Sequence, residues 1–229
     1  MKSALRKILY KFLTLIMDRE KLIFLLCNTE EHALLGLKRN GYLHDIGWVN
    51  SIISHQVVDV ANNPIPWVTY PFIQFIAERL NPALELFEYG SGNSTLYYSK
   101  RVAKVYSVEN DKSWYEKIKS FMPDNVTLFF CELEYDGDYC RYASKIDNKF
   151  DLIIIDGRDR VNCAINSIEA LKPAGVVVLD DSEREEYMPA INFLKGHDFK
   201  RIDFWGIAPT VDYLKCTSIF YRNNNCLNI

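Results

Sequence analysis

The sequence lacks a patterned set of metal-binding cysteines. None of its six cysteines forms a CxxC pair or has the spacing of zinc ligands. Most of them lie in apolar or aromatic segments, so reduced cysteines in a cytoplasmic protein are the simplest interpretation. The cysteines are Cys27, Cys131, Cys140, Cys163, Cys216 and Cys226.

An excess of positive charge is also missing. The 27 basic and 30 acidic residues give a formal net charge of -3, so no overall field attracts DNA or RNA. A nucleic-acid partner is therefore not predicted. With 229 residues, 48% of them hydrophobic, the chain has the composition of a globular protein that buries a sizeable core.

No uncharged apolar run reaches the length of about 18 residues that a spanning helix needs. The most apolar early segment, residues 8–26, is interrupted by Lys11 and by the charged run 18–21. It also lacks the small-residue cleavage site of a signal peptide. We predict a pair of amphipathic helices that pack on the domain. The alternative is a peripheral membrane anchor whose charges are Lys2, Arg6, Lys7 and Lys11.

The pattern of apolar residues changes at about residue 84. Residues 1–80 are mainly helical in pattern, and short apolar runs then alternate with amphipathic segments. Predicted strands are 84–87, 103–108, 126–131, 150–155, 175–179, 199–205 and 215–222. Predicted helices are 94–101, 111–121, 135–146, 159–171 and 183–194, with Asp111 as an N-cap.

This alternation predicts an α/β fold with helices on both faces of a parallel sheet. The last two strands have no helix between them, so they must form an antiparallel hairpin. We therefore expect a Rossmann-like, seven-stranded, mostly parallel sheet with a C-terminal antiparallel hairpin. Residues 1–80 form an N-terminal helical extension and residues 81–229 the ligand-binding domain.

A glycine-rich turn, Gly90-Ser91-Gly92, follows the first predicted strand and opens a helix. Its glycines permit a close approach of the backbone to a ligand, and Glu109 at the end of the next strand can grip a ribose. Together they indicate an adenosine-containing ligand, although a two-glycine turn alone is also a common structural feature. Thr95 stands where a dinucleotide fingerprint has its third glycine, which disfavours NAD.

These residues resemble a known family. Glu88-x-Gly90-x-Gly92-x-Ser94 is similar to the first motif of class I S-adenosylmethionine (SAM)-dependent methyltransferases, with serine in place of the last glycine. Residues 105–109 resemble the second motif, whose acidic residue binds both ribose hydroxyls. Residues 150–157 and 171–181 resemble the fourth-strand motif and the turn that precedes the fifth strand. The resemblance runs in order from residue 84 to residue 222 and implies SAM as cofactor.

The resemblance also implies a set of cofactor-binding residues. An acidic strand edge attracts the cationic part of SAM, and the aromatic faces of Trp67 and Tyr70 suit its sulfonium. Cys131 and Glu132 follow the third strand, where the family places groups near adenine. Core packing is the alternative for the two aromatics. The predicted set is Glu88, Gly90, Ser91, Gly92, Ser94, Glu109, Cys131, Glu132, Asp156, Trp67 and Tyr70.

Upstream segments add a narrower resemblance. Residues 47–48, Asp59, residues 66–71 and residues 91–95 look like an uncharacterised bacterial subgroup that is often found near surface-polysaccharide genes. This implies a sugar or a glycan precursor as the methyl acceptor.

A hydroxyl acceptor must be aligned with the methyl group and must lose its proton. We predict Asp156, Asp181 and His55 as catalytic residues. Arg158 and Arg160 either bind an anionic group of the acceptor or pair with the nearby carboxylates.

Asp156, Asp180 and Asp181 resemble the divalent-metal site of some sugar and catechol O-methyltransferases, and carboxylate oxygens suit magnesium. Those sugar enzymes commonly have an acidic residue at the position of Arg158. We therefore predict no metal and keep magnesium as the alternative.

The sequence thus predicts a cytoplasmic SAM-dependent methyltransferase that acts on a small polar acceptor, with O-methylation of a sugar favoured. A non-catalytic SAM-binding assembly domain and an aminopropyl-type transferase on the same fold are the alternatives. A homo-oligomer stays open.

Overall fold

The computed structural model describes residues 8, 11–13, 17–18, 21–22 and 27–229. Most of segment 8–26 lies outside the described residues, as do Lys2, Arg6 and Lys7, and the two interpretations of this segment remain predictions. Within the described part of the chain, no helix has the length and apolar character that a membrane crossing requires.

Within residues 27–229, four helices precede the sheet: α1 (Thr29–Arg39), α2 (Tyr42–Asp45), α3 (Trp48–Ser54) and α4 (Tyr70–Ala77). Helix α1 begins with a capping box, in which the Asn28 side chain accepts from the Glu31 backbone N–H (2.9 Å) and the Glu31 carboxylate accepts from the Asn28 N–H (2.8 Å). No residue of α1 is buried. Helix α4, in contrast, packs into the core through Phe72 and Ile76.

A seven-stranded sheet forms the centre of the protein. Its spatial order is β3-β2-β1-β4-β5-β7-β6. Strands β1 to β5 pair in parallel, and β7 is antiparallel to both of its neighbours, β5 and β6. This confirms the predicted fold. The strands are β1 (Glu85–Tyr89), β2 (Lys104–Glu109), β3 (Val126–Phe130), β4 (Phe150–Ile155), β5 (Leu171–Asp180), β6 (Lys200–Gly206) and β7 (Lys215–Tyr221).

Strand β5 begins earlier than predicted, because Leu171 already pairs with Phe150 across an irregularity in the ladder between β4 and β5. The helices that flank the strands are α5 (Asn93–Ser99), α6 (Lys112–Ile118), α7 (Tyr142–Lys145), α8 (Arg160–Ser167) and α9 (Met188–Gly196).

Two helix predictions were too long. The predicted helix 135–146 is helical only in α7, because Asp136 has a positive φ of 54° that interrupts a right-handed helix. The predicted helix 183–194 becomes α-helical at Met188, where Pro189 occupies the first turn. The predicted N-cap is confirmed, since the Asp111 carboxylate accepts from the N–H groups of Ser113 (2.8 Å) and Trp114 (3.0 Å).

The core lies on both faces of the sheet, and its residues alternate along each central strand. In β4, Ile153 and Ile155 face one apolar cluster while Leu152 and Ile154 face the other. Every residue of β4 is buried, as expected for a parallel strand covered on both sides. Helices α8 and α9 contribute to the first cluster and α4 and α5 to the second.

The N-terminal extension is fastened to the connection between β6 and β7. The indole N–H of Trp48 donates to the carbonyl of Val211 (2.7 Å), and that of Trp67 donates to the carbonyl of Pro209 (2.8 Å). The backbone N–H of Tyr70 donates to the carbonyl of Ile207 (3.0 Å). Residues from both sides of the predicted boundary at residue 80 therefore share one core, and the boundary itself remains a prediction.

Two fully buried tyrosines differ in whether their hydroxyl group has a hydrogen-bond partner. The Tyr89 hydroxyl donates to the carbonyl of Cys140 (2.8 Å), whereas the Tyr98 hydroxyl has no hydrogen-bond partner. We expect Tyr89→Phe to lower the free energy of unfolding by about 1 kcal/mol. Tyr98→Phe should leave it unchanged or raise it. Urea unfolding of both variants checks this, and equal losses would contradict it.

Candidate functional site

A cleft of about 970 Å³ opens at the edge of the sheet where strands β1, β2, β4 and β5 end. Such an edge is where α/β proteins bind ligands. The N-terminal extension and the residues that precede β7 complete its walls. Predicted site residues that line it are His55, Trp67, Glu88, Gly90, Ser91, Gly92, Ser94, Glu109, Asp156, Arg158, Arg160, Asp180 and Asp181.

The turn after β1 requires glycine at a position that the sequence motifs identify. Gly90 has a φ of 91°, and a Cβ atom there would lie 3.1 Å from the Cα of Gly157. A Cβ atom on Gly157 would lie 2.9 Å from the N atom of Gly90. The ends of β1 and β4 thus approach so closely that neither position has room for a side chain.

Gly92 serves a different purpose in the same turn. Its φ of 162° is extended backbone, and a Cβ atom there would meet only the Trp114 ring, at 3.8 Å. The missing side chain relieves no strain. It keeps the space above the start of α5 open.

Thr95 connects the glycine turn to the Glu88 side chain by two hydrogen bonds. Its hydroxyl accepts from the Gly92 N–H (3.0 Å) and donates to Glu88 Oε2 (2.6 Å). Thr95 is fully buried, so the residue that departs from a dinucleotide fingerprint has a structural function here. The other carboxylate oxygen, Glu88 Oε1, is buried without a hydrogen-bond partner. A buried acceptor of this kind at a cleft wall fits a ligand donor.

Burial raises the pKa of Glu88 to about 7, and the hydroxyl groups of Ser94, Thr95 and Ser107 oppose that rise. The side chain is only 1% exposed. Glu88 therefore exchanges its proton near neutral pH. A cationic ligand group beside Oε1 would favour the ionised form.

Glu109 is held by backbone groups. Its Oε2 accepts from the N–H of Ser91 (3.1 Å), and its Oε1 accepts from the N–H groups of Asn110 and Asp111 (both 2.8 Å). Burial raises its pKa although these three hydrogen bonds oppose the rise. The carboxylate is thereby fixed next to the glycine turn, with lone pairs left for ligand hydroxyls.

Trp114 is a site residue that sequence reasoning missed. Its indole N–H donates to the carbonyl of Ser91 (2.8 Å), and the side chain is 39% exposed where it lines the cleft. The signal was its place in the first turn of α6, five residues after Glu109. Trp114 adds a flat apolar surface beside the glycine turn.

The opposite end of the cleft contains a cluster of ion pairs around Arg160. This guanidinium pairs with Asp156 Oδ1 (3.0 Å) and Asp181 Oδ2 (3.3 Å), and it donates to the backbone carbonyl of Asp180 (2.6 Å). Its side chain is only 11% exposed. Arg160 therefore pairs with these carboxylates, and its predicted role in acceptor binding remains a prediction.

Lys215, at the start of β7, is the second buried cation and was not predicted. Its Nζ lies 2.7 Å from Asp181 Oδ1 and 3.1 Å from Asp180 Oδ2. Thr217 donates to Asp180 Oδ1 (2.6 Å), and Arg184 pairs with Asp181 Oδ2 (2.7 Å). No local pattern reveals this contact, since Lys215 lies 35 residues after Asp180.

The magnesium alternative does not fit this arrangement. Asp156, Asp180 and Asp181 already share Arg160 and Lys215, which supply the positive charge that a metal would bring. Among the described residues, no group of three or more His, Cys, Asp or Glu side chains is arranged to hold a metal ion. Burial and the charge of Asp180 raise the pKa of Asp156 well above its usual value, although Arg160 and Lys215 oppose this rise.

The third wall joins the extension to the sheet. Exposed His55 has a positive φ of 54° at the end of α3, and Val57 accepts a hydrogen bond from the Asn93 side chain (2.8 Å). Trp67 and Tyr213 face the cleft with 52% and 58% of their surfaces exposed. Exposed Arg158 also lines the cleft. These groups have free surface for an acceptor.

Three predicted cofactor residues do not join the cleft lining. Tyr70 is 5% exposed and packs within the core, where burial raises its pKa to about 12, and its cofactor role remains a prediction. Cys131 packs partly against the core, and its backbone N–H donates to the carbonyl of Glu109 (3.0 Å). Glu132 is exposed beyond β3. The adenine role of the last two remains a prediction.

Comparison with known proteins supports the fold and not the family. No protein-family profile matches the chain, and no curated protein matches it. An O-methyltransferase of Streptomyces achromogenes, involved in tomaymycin synthesis and solved with SAM, is similar in structure, with a TM-score of 0.53 and 14% identity over 78% of this chain and 90% of that one.

Two other solved structures are similar at the same level. The precorrin-6y C5,15-methyltransferase of Geobacter metallireducens has a TM-score of 0.50 and 16% identity over 66% of this chain and 88% of that one. The precorrin-8w decarboxylase of Methanobacterium thermoautotrophicum has a TM-score of 0.50 and 16% identity over 74% of this chain and 97% of that one. The chain shares the Rossmann-like fold of these three structures. Identities this low establish the fold alone.

The raised pKa of Glu88 predicts how stability depends on pH. The folded protein keeps a proton up to about pH 7, whereas the unfolded chain releases it near pH 4.5. The folded state therefore binds more protons between these values, and the free energy of unfolding falls as the pH rises through this window.

In Glu88→Gln the side chain is neutral at every pH. Between pH 4.5 and 7, the free energy of unfolding of the unmodified chain should therefore fall by up to about 3 kcal/mol more than that of the variant. Urea unfolding at several pH values measures the difference. The exposed Glu134→Gln serves as the control. Parallel pH profiles for the Glu88 variant and the unmodified chain would disprove the assignment.

Proposed function

We propose that this protein is a SAM-dependent methyltransferase that acts on a small polar acceptor, with O-methylation favoured. The observation that carries the proposal is Glu109, which three backbone N–H groups hold beside the Gly90–Gly92 turn in the cleft. A fixed carboxylate at the end of the second strand suits a ribose diol. The class I methyltransferase fold adds independent support.

The donor end of the cleft fits the parts of SAM. Glu109 would accept from the ribose hydroxyls, and Trp114 would offer its ring to the adenine. Glu88 Oε1, buried and without a partner, would accept from the ammonium of the methionine part. When bound, SAM supplies a methyl group on a positively charged sulfur.

Asp156 is best suited to receive the acceptor proton. Its side chain is 18% exposed, and it pairs with Arg160 through Oδ1. Its raised pKa makes it a stronger base than an ordinary carboxylate. Asp181, in contrast, lies within 3.3 Å of three cations, those of Arg160, Arg184 and Lys215. His55, exposed at the cleft wall, is the second candidate.

We propose a sugar or a glycan precursor as the acceptor, and the acceptor wall supports this class. The exposed rings of Trp67 and Tyr213 provide apolar surface for the C–H face of a sugar ring. Arg158 is an exposed guanidinium that suits a phosphate or carboxylate on the same acceptor. The extension then acts as a cap that shapes this end of the cleft.

The ribose assignment is tested by Glu109→Gln, with affinity for S-adenosylhomocysteine (SAH) as the readout. The amide loses the negative charge and part of the acceptor capacity, so the affinity should fall by about 10- to 100-fold. Calorimetric titration measures it, and circular dichroism confirms that the variant is folded.

Glu134→Gln is the matched control, because it makes the same chemical change at an exposed residue outside the cleft lining. Its affinity for SAH should equal that of the unmodified chain. An unchanged affinity in Glu109→Gln would remove the ribose role of Glu109.

The acceptor assignment is tested by Arg158→Gln with sugar phosphates and the corresponding neutral sugars. For an anionic acceptor, KM should rise by about tenfold or more because a charge-assisted hydrogen bond is lost. Its kcat and the KM for neutral sugars should change little. The control is Arg101→Gln, since Arg101 stacks on Tyr97 and does not line the cleft. Equal effects on neutral and anionic acceptors would count against Arg158.

A further inference from the structure

At the acceptor end of the cleft, negative and positive side chains are equal in number. Three carboxylates, those of Asp156, Asp180 and Asp181, meet three cations, those of Arg160, Arg184 and Lys215. All six side chains line the cleft. Carboxylates that are 1% to 18% exposed need such compensation, because a buried charge without a partner is costly.

Lys215 is the central cation of this cluster. Its ammonium lies within 3.1 Å of oxygens from two successive aspartates, and its side chain is only 7% exposed. Arg184, which contacts Asp181 from outside, is 44% exposed. The position between the Asp180 and Asp181 carboxylates is therefore filled by the ammonium group of a residue on β7, the strand that pairs with β5.

We propose that the ammonium group of Lys215 takes the place of a divalent cation at the acceptor end of the cleft. The geometry that supports this is the pair of carboxylate oxygens around Nζ, Asp180 Oδ2 and Asp181 Oδ1. Arg160 lies beside the same two carboxylates, 3.7 Å from Asp180 Oδ2 and 3.3 Å from Asp181 Oδ2. Without the ammonium, Asp180 Oδ2 and Asp181 Oδ1 would be left as two uncompensated carboxylate oxygens, the kind of ligand that magnesium and manganese bind.

In the proposed methyl transfer, Lys215 is also a positioning residue. This role, unlike the replacement of a metal ion, rests on the proposed function. An ammonium has three N–H donors and here two carboxylate neighbours. The third donor would serve a hydroxyl oxygen of the acceptor, since Lys215 lines the cleft. Lys215 would thus orient the acceptor where a metal-dependent enzyme uses an ion.

The test is conversion of the cluster into a metal site by Lys215→Met. In EDTA, we expect the variant to have a lower Tm than the unmodified chain, because one buried negative charge loses its partner. Addition of MnCl2 should restore the Tm by roughly 5–10 °C at about 100 times the dissociation constant. Mn²⁺ binding is measured directly by electron paramagnetic resonance and should approach one ion per chain.

The unmodified chain should show neither a Tm shift nor stoichiometric Mn²⁺ binding. Lys215→Arg keeps a cation at this position and should behave like the unmodified chain. In the double variant Lys215→Met/Asp181→Asn, the Mn²⁺ binding and the rise in Tm should both disappear. This result would locate the ion in the cluster. Arg184→Gln, which removes the exposed cation, should create no site.

Stoichiometric Mn²⁺ binding by the unmodified chain that Asp181→Asn abolishes would overturn the proposal. So would a folded Lys215→Met variant with no gain in Mn²⁺ binding. If Lys215→Met does not fold in EDTA, Lys215→Gln gives the same comparison. SAH titration of the unmodified chain is recorded separately, so absence of SAH binding would reject the proposed function while the metal result still decides the role of Lys215.

Discussion

The structure depends on how it compensates the carboxylates that meet at one edge of its sheet. Parallel strands end at the same edge, so Glu88, Glu109, Asp156, Asp180 and Asp181 are brought together in a largely buried place. Each requires partners. Hydroxyl groups serve Glu88, backbone N–H groups serve Glu109, and cations serve the three aspartates. These three solutions divide the cleft into regions of different chemistry.

For the proposed methyl transfer, that division corresponds to a donor half and an acceptor half of the cleft. In the donor half, backbone N–H groups fix Glu109, and the backbones at Gly90 and Gly157 approach each other closely. The acceptor half is built from segments far apart in sequence, because Trp48 and Trp67 fasten the extension to residues 209 and 211. The acceptor wall therefore depends on contacts between the extension and the hairpin, and the donor half does not.

The sequence predicted the features that local patterns encode. Strand β4 was predicted with the bounds that the structure has, since a run of buried apolar residues marks a central parallel strand. The Gly90–Gly92 turn and Glu109 follow from short motifs. Lys215 was beyond prediction because its partners lie on another strand. Trp67 and Tyr70 share one short segment, and only the packing of α4 separates the exposed ring from the buried one.

The central claim is that the cleft binds a methyl donor. One calorimetric titration tests it, in which the unmodified chain is titrated in parallel with SAM, decarboxylated SAM and NAD. We expect one SAM per chain, weaker binding of decarboxylated SAM, and no heat with NAD. Binding of NAD without binding of SAM would contradict the account, and a preference for decarboxylated SAM would direct it towards aminopropyl transfer.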